Sequence, residues 1–177
     1  MSVLKNNLTV VLVTFKSKEV IDKCIKSINN NLPIIVIENS NDKYFKDYIE
    51  KKFKNVSCYL TKENFGMGKG NNIGIRRAKT KYVLILNPDT TLESQTLNNF
   101  LNTAKKYKDF AIIGPAKQDE HNNNDPHTKK DDVFEANHCK GFAMLFNLEQ
   151  FKEIGFFDSN FFIYLEEIDL CRRLKQK

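Results

Sequence analysis

The fold is indicated first by Leu8-Thr-Val-Val-Leu-Val-Thr-Phe15, an apolar, β-branched run that predicts a buried strand. Residues 17–30 follow with apolar side chains at helical spacing, and Ser17 stands where a helix N-cap is expected. Pro33-Ile-Ile-Val-Ile-Glu38 then predicts a second buried strand. A strand, a helix and a strand in this order predict a βαβ unit, in which the two strands are parallel.

The same alternation continues along the chain to about residue 114. The predicted elements are a helix over 42–53, a strand over Val56–Leu60, a helix over about 69–79, a strand over Lys81–Leu86, a helix over 92–107 and a strand over Phe110–Ile113. This pattern predicts an α/β fold with a mostly parallel central sheet flanked by helices. Beyond Gly114 the expected elements are a polar loop over 119–132, a strand over His138–Asn147, a short helix over 148–154 and a turn at Gly155–Asp158.

The composition is typical of one soluble globular domain. The chain has 177 residues, of which 41% are hydrophobic, and a formal charge of +6. No apolar run approaches the roughly 20 residues of a membrane helix, and the start does not resemble a signal peptide. The four cysteines lie far apart and suggest neither a zinc site nor disulfides, so a cytoplasmic protein is expected. The basic residues are scattered, which argues against a nucleic-acid partner and favours a phosphate-bearing ligand.

Polar side chains follow the predicted strands at their carboxyl ends, where open α/β sheets bind ligands. These residues are Thr14-Phe15, Glu38-Asn39-Ser40, Thr61–Asn64 and Asn87-Pro88-Asp89. Asp89 is displayed in the way that a divalent cation on a diphosphate requires, and the alternative is an Asx-Pro turn in which Asp89 caps the helix from 92, a common arrangement. Glu38 is placed to accept a hydrogen bond from a base or ribose, and a strand-end acid in a turn is an equal alternative.

The segment Gly66-Met-Gly-Lys-Gly-Asn-Asn-Ile-Gly74 is the most glycine-rich part of the chain. Its spacing matches neither the dinucleotide fingerprint nor the P-loop, because Asn71 and Ile73 stand where the former needs glycine. Two interpretations remain open: contact with an anionic ligand, and a turn that lets a helix pack close to the sheet. The three histidines, His121, His127 and His138, have no metal-ligand spacing, and the first two are expected to be solvated.

The end of the chain places three carboxylates, Glu166, Glu167 and Asp169, directly after the aromatic run Phe161-Phe-Ile-Tyr-Leu165. Acids favour the first turn of a helix, and a pair between Asp169 and Arg172 or Arg173 is expected at helical spacing. Apolar surroundings also raise a carboxyl pKa towards the range of a general base. Taken alone, the segment favours a helix N-terminus over a catalytic site.

Six ordered sequence blocks resemble family 2 glycosyltransferases, most closely the bacterial branch of rhamnosyl- and galactofuranosyltransferases. The blocks are Val10–Phe15, Ile35–Ser40, Asn64–Gly74, Leu86–Thr90, Gly141–Phe146 and Gly155–Leu174. Together they cover nearly the whole chain. The resemblance implies a GT-A fold, which is a Rossmann-like sheet, and inverting transfer of a sugar from a nucleotide-diphosphate donor to a glycan or lipid-linked saccharide acceptor in surface polysaccharide synthesis.

The same resemblance implies roles on the donor side. Asp89 corresponds to the last acid of the family's D-x-D-type motif, so it is expected to hold Mg²⁺ or Mn²⁺. Glu38 corresponds to the nucleobase-binding acid, Thr14 to a nucleoside contact and Gly141 to a position whose backbone lies near the sugars. Three asparagines of the matched blocks are also expected to contact the donor: Asn64, Asn72 and Asn87.

On the acceptor side, Glu167 corresponds to the catalytic base, and Glu166 and Asp169 would orient the site or the acceptor. Two positions depart from the family, because Glu replaces the usual Asp at 38 and at 167 and reaches one methylene farther. The family also continues past the last helix, into a segment that commonly supplies a metal-binding His. We therefore expect one domain, with a nucleotide-sugar-binding half over 1–114 and a truncated acceptor and catalytic half over 115–177.

Three alternatives to a transferase are kept. The first is a non-catalytic nucleotide-sugar-binding domain, the second another doubly wound enzyme such as a nucleotidyltransferase, and the third a basic nucleic-acid-binding protein. The second is disfavoured because Thr14-Phe-Lys-Ser17 contains no glycine-rich loop, and the third because the charge is scattered. The expected location is the cytoplasm, with peripheral association at the cytoplasmic face of the inner membrane.

Overall fold

The computed structural model describes residues 7–28, 31–116 and 133–176. Its centre is a six-stranded sheet in the order β3-β2-β1-β4-β6-β5. The strands are β1 (Leu8–Thr14), β2 (Ile34–Glu38), β3 (Val56–Leu60), β4 (Tyr82–Leu86), β5 (Ile112–Ile113) and β6 (Ala143–Asn147). The helices are α1 (Lys18–Ser27), α2 (Lys43–Lys52), α3 (Gly66–Arg77), α4 (Thr96–Lys106) and α5 (Glu166–Lys175), with a 3₁₀ turn at Leu148–Phe151.

The sheet is mostly parallel. Strand β1 pairs in parallel with β2 and β4, and β2 pairs in parallel with β3. Strand β6 runs antiparallel to both β4 and β5. The predicted α/β architecture is therefore confirmed, and the parallel strands bring their carboxyl ends to one edge.

Both faces of the sheet are covered, and the residues of β1 alternate between them. Leu8, Val10 and Leu12 lie in one apolar cluster with side chains of α1, α2 and α4. Val11 and Val13 lie in the other, with residues of α3, β6 and α5. All seven residues of β1 are buried, as expected for a central strand with helices on both faces.

Several predicted boundaries are wrong. The strand predicted over His138–Asn147 begins only at Ala143, because residues 138–140 are irregular and residues 141–142 form a turn. The Phe142 carbonyl in that turn still accepts a hydrogen bond from the Asn87 N–H at 3.0 Å. The helix predicted over 148–154 is a single 3₁₀ turn, and the helix predicted from 92 begins at Thr96.

The predicted loop over 119–132, with His121 and His127, lies outside the described residues. Within the described ranges, none of the helices has both the length and the apolar character that crossing a membrane requires.

Candidate active site

Thr14 and Glu38 end two adjacent strands and are partners in the β1–β2 register. Both side chains are buried, at 1% exposure each. Within the described part of the chain the Thr14 hydroxyl oxygen has no hydrogen-bond partner. Because a buried hydroxyl without a partner is unfavourable, this oxygen marks a place where a ligand or water is expected to bind.

The Glu38 carboxylate closes the loop between β2 and α2. One oxygen accepts hydrogen bonds from the Ser40 N–H, at 3.0 Å, and from the Ser40 hydroxyl, and the other from the Asp42 N–H at 2.7 Å. Asp42 in turn caps α2 by accepting the Phe45 N–H at 2.9 Å. The structure thus shows the turn-forming role of Glu38, and its contact with a nucleobase stays a prediction.

The glycine-rich segment is helical from its first residue, so the helix predicted from about residue 69 begins earlier, at Gly66. The Asn64 side chain accepts the Gly66 N–H at 3.0 Å and so satisfies one of the free N–H groups of the first turn. Side chains at Gly70 and Gly74 would place Cβ 2.7 Å and 2.4 Å from the Cγ1 atoms of Val13 and Val11. Gly70 and Gly74 therefore allow the helix to pack close to the sheet, which is the second of the two interpretations of this segment.

Asn39 is a central polar group of this edge, although its place in the strand-end group Glu38-Asn39-Ser40 predicted no separate role for it. Its amide donates to the Gly66 carbonyl at 3.0 Å, and its side-chain oxygen lies 3.2 Å from the Thr61 hydroxyl. It therefore joins β2, β3 and the start of α3. A buried Asn directly after a strand was the available signal, because only an internal partner satisfies such a side chain.

Asn72 lies in the middle of α3 and is 2% exposed. Its amide donates to the Phe157 carbonyl at 2.8 Å, and its side-chain oxygen accepts the Phe157 N–H at 3.1 Å. Both ends of the side chain are therefore engaged by one backbone residue 85 positions away. The predicted donor contacts of Asn72 and Asn64 stay predictions, because the structure shows both side chains in hydrogen bonds to backbone groups of this same chain.

Asp89 stands on a tight turn at the carboxyl end of β4. The Thr90 N–H donates to the Asn87 carbonyl at 3.0 Å, and the Asn87 N–H is held by Phe142. The Asp89 side chain is exposed, and within the described residues its carboxylate forms no hydrogen bond or ion pair. Helix α4 begins seven positions later with Gln95 as its N-cap residue, so Asp89 does not cap it.

A divalent cation fits this turn only if other oxygen ligands join it. Among the described residues no three His, Cys, Asp or Glu side chains form a metal-binding group. Mg²⁺ is commonly held by one or two carboxylates together with substrate phosphates, and Asp89 offers one unengaged carboxylate. The residue therefore fits a metal that arrives with a diphosphate better than a metal held by protein alone.

The three acids at the end of the chain form the first turn of α5. Asp169 pairs with Arg173, whose Nε lies 2.8 Å from Oδ2, which confirms the expected pair at helical spacing. A side chain at Gly141 would place its Cβ 3.6 Å from Cδ of Glu167. Gly141 directly precedes Phe142, whose backbone carbonyl accepts the hydrogen bond from the Asn87 N–H. The structure thus brings Glu167, Gly141 and the Asp89 turn to one edge of the sheet.

Glu166 is the acid with the most unusual surroundings. Burial raises the pKa of its carboxyl above the ordinary value of 4.5, and the neighbouring charge of Glu167 raises it further, against the lowering effect of its own backbone N–H. Its Oε2 atom is buried and has no hydrogen-bond partner in the described part of the chain. The folded protein therefore disfavours the charged form of Glu166.

We expect Glu166→Gln to remove a pH-dependent loss of stability. Because the pKa is raised on folding, the unfolded chain releases this proton first, and wild-type stability falls as pH rises from about 4.5 towards the raised value. The variant should gain in melting temperature relative to wild type across that window and keep its gain at neutral pH. Glu19→Gln, in the exposed first turn of α1, is the matched control. Parallel melting profiles for wild type and Glu166→Gln would contradict the assignment.

Comparison with known proteins gives one consistent family. The profile of glycosyl transferase family 2 matches residues 9–171. The hexosyltransferase Agl10 of low-salt glycan biosynthesis in Haloferax volcanii is 24% identical over 97% of this chain, and the rhamnosyltransferase WbbL of Escherichia coli K12 is 25% identical over 93%. The chain spans 62% of Agl10 and 75% of WbbL.

Solved structures agree on the fold. The mannosyltransferase PcManGT from Pyrobaculum calidifontis, in complex with GDP-Man and Mn²⁺, superposes with a TM-score of 0.75 at 13% identity and covers 95% of this chain and 51% of that one. Staphylococcus aureus TarS residues 1–349, in complex with UDP-GlcNAc, gives a TM-score of 0.69 at 13% identity, with 95% and 53% covered. The expectation of a GT-A fold is confirmed.

Proposed function

This chain belongs to glycosyl transferase family 2, and from that premise we propose that it transfers a sugar from a nucleotide-diphosphate donor to a hydroxyl of a glycan or lipid-linked saccharide, with inversion. The observation that carries the proposal is the line of contacts from the Asp89 turn through Phe142 and Gly141 to Glu167. It brings two carboxylates to one edge of the sheet. That of Asp89 is available to the donor diphosphate, and that of Glu167 is available to accept the acceptor proton.

Glu167 is proposed as the general base. Its carboxylate takes the proton of the acceptor hydroxyl while that oxygen forms a bond to the anomeric carbon and the bond to the donor diphosphate breaks. Attack from the face opposite the leaving group inverts the configuration. Glu166 and Asp169 are proposed to orient the site or the acceptor, and Asp169 is itself fixed by its ion pair with Arg173. Family relatives in glycan and teichoic acid synthesis support a surface polysaccharide as the product.

Residues 1–114 are proposed to bind the donor. The unpartnered hydroxyl of Thr14 and the strand-end Glu38 face the nucleoside, and Asn64 and Asn87 lie on the elements around it. Asn72 lies on the same glycine-rich helix, but its amide is occupied by the Phe157 backbone. Asp89 together with the donor phosphates would hold a divalent cation, whose positive charge would favour departure of the diphosphate. Residues 115–177 are proposed as the acceptor and catalytic half, acting at the cytoplasmic face of the inner membrane.

A second candidate function is donor binding without transfer. The side chains directly before the acids are open to solvent, with Tyr164 exposed by 74% and Leu165 by 56%, so the described chain builds no wall against an acceptor there. Metal-dependent binding of a nucleotide sugar with neither transfer nor donor hydrolysis would favour this alternative.

The proposed function is tested by thermal shift with UDP-, dTDP- and GDP-sugars in Mn²⁺ or Mg²⁺. A ligand that binds only the folded state at about 100 times its Kd stabilises it by about 2.7 kcal/mol, which corresponds to roughly 5–10 °C for a chain of this size. We expect one nucleobase class to give this shift and EDTA to abolish it. The same sugars without the nucleotide are the control. No shift with any nucleotide sugar would contradict donor binding.

A further inference from the structure

Helix α3 contacts the segment that leads into the acids of α5. Asn72 grips the backbone of Phe157 with both ends of its amide, at 2.8 Å and 3.1 Å. Phe157 is itself fixed, because its buried ring packs 5.6 Å from that of Phe146 in the sheet. The amide of Asn72 therefore ties α3 to a residue nine positions before Glu166.

A second contact lies at the helix start. The Met67 N–H donates to the Phe162 carbonyl at 2.9 Å. A Cβ at Gly66 would lie 2.0 Å from that same carbonyl oxygen, and the Gly66 φ of +72° also favours glycine. The Phe162 backbone thus occupies the space above the first turn, so this N–H group is used by the protein itself.

The other side of the segment is held by α5. The guanidinium of Arg173 donates to the carbonyls of Ile154 at 3.0 Å and Phe156 at 2.6 Å, while its Nε binds Asp169. Backbone groups of residues 154–162 are therefore hydrogen-bonded on one side by α3, through Asn72 and Met67, and on the other by the Arg173 side chain of α5.

Two residues with strained backbone conformations lie between residues 154–162 and the acids of α5. Tyr164 and Leu165 have φ values of 67° and 70°, in the left-handed region that bulky side chains avoid. Such a conformation persists only where its surroundings fix it. Here the fixed points are Phe162, bound by Met67, and Leu165, whose carbonyl accepts the Asp169 N–H at 2.9 Å.

We propose that Gly66, Met67 and Asn72 form a clamp, the α3 clamp, that positions residues 157–165 and thereby sets the place of the carboxylates of Glu166 and Glu167. The glycine-rich motif is then a docking surface for the catalytic half, and Asn72 is a positioning residue. The effect of the clamp on sugar transfer rests on the proposed function, whereas the contacts between α3 and residues 157–165 do not depend on it.

A matched glycine pair tests the clamp. Gly66→Ala places a methyl group against the Phe162 carbonyl, whereas the same change at Gly68 meets the Phe157 Cβ at an ordinary 3.4 Å. We expect Gly66→Ala to lower kcat by about 10²-fold with little change in donor KM, as a small misplacement of catalytic groups does. Gly68→Ala should keep kcat near wild type. Gly66→Asn, which tolerates a positive φ, separates the clash from backbone strain and should behave like Gly66→Ala.

Asn72→Leu with amide hydrogen exchange provides a readout that needs no activity. We expect faster exchange at Phe157, Met67 and Asp169 and unchanged protection in β1, together with a lower kcat and an unchanged donor Kd. A raised Kd with unchanged exchange would instead assign Asn72 to the donor and overturn the clamp. Equal effects of Gly66→Ala and Gly68→Ala on kcat would overturn it too. If the wild type transfers no sugar, the proposed function fails, and exchange alone decides whether the clamp exists.

Discussion

Glu167→Gln is expected to lower kcat by about 10²–10⁴-fold, the usual contribution of a general base, while donor binding stays at the wild-type level. The amide keeps the size of the side chain beside Gly141 but accepts no proton. Turnover is measured as release of nucleoside diphosphate in the presence of acceptor, and donor binding by calorimetry. The split between lost turnover and retained binding is what identifies a base, because a structural defect weakens both.

Glu19→Gln is the matched control for this prediction, since it makes the same change in the exposed first turn of α1. It should leave turnover unchanged. Glu166→Gln is the informative neighbour, because its carboxyl has the raised pKa. If kcat falls by a larger factor in Glu166→Gln than in Glu167→Gln, the base is Glu166 and the proposed assignment is wrong.

Asp89→Asn is expected to lower kcat/KM by about 10³-fold or more. Charge stabilisation of a leaving diphosphate is worth several kcal/mol, and each 1.4 kcal/mol is tenfold in rate. Because Asp89 has no hydrogen bond or ion pair to lose within the described residues, the melting temperature without ligand should hardly change. The shift that nucleotide sugar and Mn²⁺ produce together in wild type should disappear in this variant.

Asp109→Asn is the control for the Asp89 variant, because Asp109 is an exposed acid on the turn that follows α4. It should bind and turn over donor as wild type does. If the Asp89→Asn variant still binds donor in a metal-dependent way, the metal is held by other residues and Asp89 is not its ligand.

The sequence was sufficient for the sheet because burial leaves a direct mark on composition. Leu8–Thr14, Ile34–Glu38 and Tyr82–Leu86 are apolar at nearly every position, since helices cover both faces of the parallel strands. The pair between Asp169 and Arg173 was also predictable, because it depends only on helical spacing. By contrast, the strand predicted over His138–Asn147 was too long, because residues 141–142 form a turn before the strand that its apolar residues do not reveal.

The glycine-rich segment shows most clearly what the pattern left open. Its residue types allowed both an anion site and close helix packing, and only the positions of Val11, Val13 and Phe162 decide for packing. Asn72 was predicted to contact the donor, yet the structure occupies its amide with Phe157, 85 residues away. Glu38 likewise binds its own loop. Such partners cannot be predicted from one sequence, because hydrogen-bond choice depends on which groups the fold brings together.

By itself, then, the sequence determined the α/β architecture, the edge of the sheet at which ligands are expected and the identity of the candidate acids. These follow from local periodicity and from the rule that parallel strands end together. Tertiary structure alone decided that Gly141 lies against Glu167, that the Glu166 carboxyl is buried and that α3 holds the segment before α5. The physical reason is that burial and hydrogen bonding are properties of neighbours in space, and these neighbours lie 26 to 95 positions apart in the chain.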